Sequence, residues 1–188
     1  ERRQRPDPAL DRKIRRLTEF VLHLQNSNGY FHNFLWGNLS TNTDYRTSLA
    51  ELNWWSLRAL WGLEETLAVP GIDRELAQRI HSATSRVVSN LLRDLPGTSR
   101  ETTQSAGIVV PDWLPGGSGA DQAAEAIVAL LPHWQRTGNP AVRELMASLA
   151  TGILMMQKGD ARTFPHGAFL SWRHHWHAWG NVQAYALL

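Results

Sequence analysis

Residues 24–36 read LQNSNGYFHNFLW, and residues 156–172 read MQKGDARTFPHGAFLSW. Both open on an apolar residue and a glutamine, pass through a polar stretch to a glycine, and finish on aromatic residues. Each follows apolar residues at helical spacing. Before the first stand Leu10, Ile14, Leu17, Val21 and Leu24; before the second, Val142, Leu145, Leu149, Ile153 and Met156. Each also leads to an apolar segment that reads as helix, over 48–67 and from 182 onward, and residues 179–185 align with 54–60. Such self-similarity marks a repeated helix–loop–helix unit. The later copy is the denser one, with four histidines and three tryptophans in residues 164–181.

Taken in order, the chain predicts about six helices, over 8–25, 48–67, 73–95, 120–136, 141–157 and from 182. The first, third and fifth carry a single apolar stripe; for the third this is Leu76, Ile80, Ala83, Val87 and Leu91. The second and sixth are apolar nearly all round and the fourth is alanine-rich, which marks buried helices. Links 69–71 and 137–140 are short, whereas loops 26–44, 96–120 and 158–181 are long and carry the polar and aromatic residues. A turn at Asn28-Gly29 suits a short hairpin. Ser48 with Glu51, and Ser118 with Asp121, have the spacing of a capping box. The alternation implies an all-α fold with an outer layer of one-stripe helices around an inner layer of buried ones. That is an α/α toroid of three hairpins, one domain over residues 1–188, with the long loops at one end. Three hairpins make an open arc. The expected completion is the remainder of a longer chain or a second copy pairing edge to edge, since the last residues stop inside a helical pattern.

Composition narrows the function. A net charge of +2 with dispersed Lys and Arg is no nucleic-acid footprint, and Arg12, Lys13, Arg15 and Arg16 read as a solvated helix face. No apolar run reaches the ~20 residues that cross a bilayer. No leader pattern and no cysteine occur, so a cytoplasmic setting is expected. Phosphate loops and serine nucleophile elbows are missing, and no cofactor is expected.

Nine tryptophans suit a site that grips flat, amphipathic ligands. Long loops are where binding groups concentrate. Among carboxylates, Asp112 lies between Pro111 and Trp113 and reads either as an acid/base or as a turn-forming aspartate. Asp121 and Asp44 are its candidate partners, with helix or turn capping as their other reading. Glu125 lies one turn beyond Asp121, on a face that meets either solvent or a cavity. Tyr30, His32, Trp36, Trp113, His166, Trp172, His175 and Trp176 are the candidate ligand-binding residues: loop tryptophans to stack on a sugar face, histidines to hydrogen-bond hydroxyls. His174 and His177 have helical spacing, with His166 as a conceivable third ligand. No cysteine or carboxylate pair at ligand spacing accompanies them, so no metal is expected. Trp54, Trp55, Trp61 and Trp134, at helical positions, are expected in the core.

The hairpin alternation, with Gly29-Tyr30-Phe31-His32-Asn33-Phe34-Leu35 and Trp55-Ser56-Leu57-Arg58-Ala59-Leu60-Trp61-Gly62-Leu63, resembles the six-hairpin glycosidase superfamily. It is also similar to toroid domains found beside bacterial glycosyltransferases. The resemblance implies an oligosaccharide ligand in the funnel at the loop end, and acid/base carboxylates in hydrolytic members. A non-catalytic sugar-binding or scaffold toroid is the alternative. Gln25-Asn26-Ser27-Asn28-Gly29-Tyr30-Phe31 is also similar to the glutamine–glycine repeat of terpene cyclase and prenyltransferase toroids. Phe31 stands where that family has tryptophan, and no aspartate-rich diphosphate motif accompanies it.

Overall fold

The computed structural model describes residues 7–95, 101–105, 108–157, 162 and 167–170. Among these the protein is mostly helical, with five helices of fourteen residues or more and one two-stranded sheet. The chain divides into two compact units, Glu1–Asn90 and Leu91–Leu188, described in turn.

In the first unit, α1 (Pro8–His23) starts where Asp7 accepts from the amides of Ala9 and Leu10, with Pro8 at the first helical position. α2 (Trp54–Leu67) packs beside it, and the hydroxyls of Thr18 and Thr66 meet at 3.4 Å. α3 (Arg74–Asp94) buries the whole predicted stripe from Leu76 to Leu91. The stripe on α1 is rotated from expectation. Leu17 is 56% exposed, and Thr18 takes the inward position by donating to the carbonyl of Ile14.

α2 starts six residues later than its hydrophobic pattern suggests. Ser48 does not cap it. Residues Arg46–Ser48 form a 3₁₀ turn, and the Ser48 hydroxyl is buried, donating to the Asn42 carbonyl while accepting from the Asn33 amide. Leu49 then turns extended, and Asn53 becomes the N-cap by accepting from the Trp54 amide. A hydroxyl committed to a loop cannot also satisfy a helix terminus.

In the second unit, residues 96–120 are not wholly loop. β1 (Thr102–Ser105) pairs antiparallel with β2 (Ile108–Pro111), Thr103 opposite Val110. A four-residue helical turn, α4 (Pro115–Ser118), precedes α5 (Ala120–Thr137). Gly138 closes α5, and Asn139 opens α6 (Pro140–Met155) by accepting from the Ala141 amide. α5 and α6 pack as a hairpin, and Ala123, Ala126 and Leu130 of α5 and Val142, Leu145 and Leu149 of α6 are all buried. The small residues of α5 allow close helix approach. The helix expected from 182 lies outside the described residues.

The repeated loops adopt the same local structure. In the first, Gln25 and Phe31 form an antiparallel bridge, His32 N–H donates to the Leu24 carbonyl at 2.9 Å, and the Gln25 amide donates to the Gly29 carbonyl at 2.9 Å. In the second, Gln157 and Phe169 form the bridge, Leu170 N–H donates to the Met156 carbonyl at 3.1 Å, and the Gln157 amide donates to the Gly167 carbonyl at 2.9 Å. Gly29 and Gly167 have φ of +93° and +75°, which explains why glycine recurs there.

Candidate functional site

The first-unit loop is fastened tightly enough to present side chains in fixed positions. Tyr30 is buried, and its amide donates to the Asn28 side chain. The Phe31 amide donates to the Ser56 hydroxyl, which itself donates to the Glu51 carbonyl. His32 is 9% exposed, and its Nδ1 lies 2.8 Å from the Ser48 carbonyl oxygen. A carbonyl can only accept, so the ring proton sits on Nδ1 and Nε2 keeps its lone pair in the neutral ring.

This loop forms one wall of a groove of about 480 Å³. Phe20, Val21 and Leu24 come from the α1 side; Phe31, His32, Asn33 and Thr47 from the loop; Trp54, Trp55, Arg58 and Ala59 from α2. The indole N–H of Trp55 donates to the Leu49 carbonyl at 3.0 Å, which fixes that ring. Trp54 and Trp55 are therefore half-buried groove residues and not closed core, because the late start of α2 leaves its first turn facing the groove. Periodicity alone left Trp54, Trp55 and Arg58 out of the candidate set. The signal available was Arg58, the one basic residue of α2.

The other first-unit candidates stand apart from the groove lining. Trp36 is 45% exposed and packs edge-on against Phe34 at 6.2 Å, and Phe34 in turn meets Tyr45. Asp44 is exposed and accepts from the Thr43 hydroxyl. The turn into the 3₁₀ segment is capped by Asn42, whose side-chain oxygen accepts from the amides of Asp44 and Tyr45, so Asp44 is not the cap.

In the second unit, Asp112 is half-buried just after β2, and its amide donates to the Glu101 carbonyl. Trp113 is a correction. It is only 4% exposed, with its indole N–H donating to the Ser148 carbonyl at 3.2 Å, so it serves as packing and not as an open stacking face. Asp121 is buried in the first turn of α5, accepting from the Gln122 amide. The N-cap there is Gly119, without a side-chain bond, so the Ser118–Asp121 capping box does not form. Glu125 is buried as well, which settles its face in favour of the interior. His166, Trp172, His175 and Trp176 lie outside the described residues. Among the described residues no group of three His, Cys, Asp or Glu is placed to hold a metal, and no helix is long and apolar enough to cross a membrane.

No protein-family model matches the chain, and no curated protein matches its sequence.

Proposed function

We propose that the chain is a carbohydrate-active domain of α/α toroid architecture, holding an oligosaccharide in the first-unit groove. One juxtaposition supports this reading. Three aromatic residues with accessible surface, Phe20, Trp54 and Trp55, share the groove with His32, Asn33, Thr47 and Arg58. A sugar ring has apolar C–H faces and a rim of hydroxyls. Aromatic surfaces suit the faces, and a few fixed polar groups suit the rim. Among the described residues the lining contains no carboxylate, whereas acid/base glycoside hydrolysis needs two. The groove thus favours binding over cleavage, and a glycoside hydrolase-like activity rests on Asp112, Asp121 and Asp44.

Calorimetry of the whole chain against a glycan panel tests the proposal. Saturable binding is expected, weakened about tenfold in Trp54→Ala through loss of ring contact. Binding without release of reducing ends assigns a non-catalytic role. Release that Asp112→Asn abolishes assigns hydrolysis. Silence across the panel, with binding of an isoprenoid diphosphate, contradicts the proposal in favour of a terpenoid toroid.

The toroid reading also proposes a partner, because three hairpins leave apolar edges: further hairpins of a longer chain, or a second copy. Sedimentation of this chain tests it. A monomer at micromolar concentration that binds no hydrophobic dye would remove the need for either.

A further inference from the structure

The exposed apolar side chains of the first unit lie on α1 and on the hairpin next to it. Among the described residues of that unit the large ones are Leu17, Phe20, Trp36, Leu39 and Tyr45, between 41% and 75% exposed. Lys13, Arg16, Leu17, Phe20 and His23 are related by steps of three and four residues along α1, so they share one side of the helix, and all are exposed. Nε2 of His23 lies 3.4 Å from the Thr41 hydroxyl, which sets residues 35–41 beside that end of α1.

Residues 35–41 form a tight hairpin. Leu35 bridges Thr41, Trp36 N–H donates to the Ser40 carbonyl, and Leu39 N–H donates to the Trp36 carbonyl, both at 2.8 Å. At its tip Leu39 has φ of +68°, a left-handed conformation that glycine adopts freely and that strains a residue with a Cβ. Its side chain is 75% exposed, so the fold gains little from a leucine there. Strain that serves no packing inside the unit points to a use outside it.

We infer that α1 and this hairpin dock the protein on an anionic membrane surface. Leu17, Phe20 and Leu39 enter the boundary between headgroups and acyl chains. Trp36 and Tyr45 sit at headgroup level, where a ring with a polar edge is favoured. Lys13, Arg16 and Arg46, all exposed, reach lipid phosphates with the charged ends of long side chains. Asp44, next to Tyr45, is an acidic side chain beside them, and the cations outnumber it. The helix lies along the surface, because its other side packs on α2, Thr18 against Thr66. A flat, fluid surface accommodates side chains spread over a helix and a hairpin, whereas a protein partner needs a matching pocket for each.

Co-sedimentation of the full chain with vesicles provides the test, using phosphatidylcholine alone and an equal mixture of phosphatidylcholine and phosphatidylserine. The mixed vesicles are expected to bind at least about tenfold more tightly, with the preference shrinking as salt rises. Arg16→Gln should weaken binding to them about fivefold. Arg79→Gln, the same charge change at an exposed position of α3, should leave it unaltered. Leu39→Gly should weaken it about tenfold while raising Tm by about 2–4 °C, since glycine relieves the strain. Loss of binding in a more stable protein separates a docking role from a structural one. Sedimentation with neither vesicle, or binding that Arg16→Gln and Leu39→Gly both leave unaltered, overturns the inference. A chain that ignores vesicles but self-associates until Leu39→Gly separates the copies overturns it in favour of a contact between copies.

Discussion

Gln25 and Gln157 occupy equivalent places in the two loops, yet they carry different loads. The Gln25 amide nitrogen donates to the carbonyls of Gly29 at 2.9 Å and Ala83 at 3.0 Å, while its oxygen accepts from Arg86. Gln157 is exposed and donates to the Gly167 carbonyl alone. Net hydrogen-bond contributions of about 1 kcal/mol each, more where a carbonyl is left buried, put Gln25→Ala at about 2–3 kcal/mol of lost stability. Gln157→Ala should cost below about 1 kcal/mol. Urea unfolding of both variants measures the difference. Equal losses would mean that the contacts with Ala83 and Arg86 contribute nothing. The glutamine–glycine pairing was legible from the repeat, because both bonded groups are local. The Gln25–Ala83 bond was not, because its partner lies 58 residues away in sequence.

Two glycines separate packing from propensity at the scale of an element. Gly152 lies in α6, and a methyl group there would sit 2.6 Å from Leu114 Cδ2 and 3.1 Å from Trp113 Nε1. Neither neighbour can swing aside: both are 4% exposed, and the indole is held by the Ser148 carbonyl. Overpacking of about 1–3 kcal/mol should outweigh a helix-propensity gain of about 1 kcal/mol, so Gly152→Ala lowers Tm. Gly62 lies in α2, exposed, with nothing within 4 Å of an added methyl. Gly62→Ala should raise stability by about 0.5–1 kcal/mol. Thermal unfolding of the pair decides, and a stabilising Gly152→Ala would contradict the packing described around Trp113. Element type was readable from the sequence wherever one stripe repeats, as on α3 and α6. The start of α2 was not, since Ser48 reads as a cap until Asn33 and Asn42 claim its hydroxyl. The strand pair 102–111 escaped for a related reason: four-residue strands carry too short a period to register.

For the molecule as a whole, helical content and the repeat followed from periodicity, while the position of the candidate site did not. Tryptophans at helical spacing read as core, and tryptophans in loops read as ligand platforms. The structure reverses this for Trp54 and Trp55 on one side and Trp113 on the other, because burial depends on what a neighbouring element covers. That reversal underlies the functional proposal and allows a direct test. The chain has nine tryptophans, and each indole N–H gives its own nitrogen–proton NMR resonance. With single Trp→Phe variants to assign them, titration with the best-binding oligosaccharide should shift the Trp54 and Trp55 resonances saturably and leave that of Trp113 in place. Movement of Trp113 with Trp54 and Trp55 unmoved would contradict the groove as the sugar site.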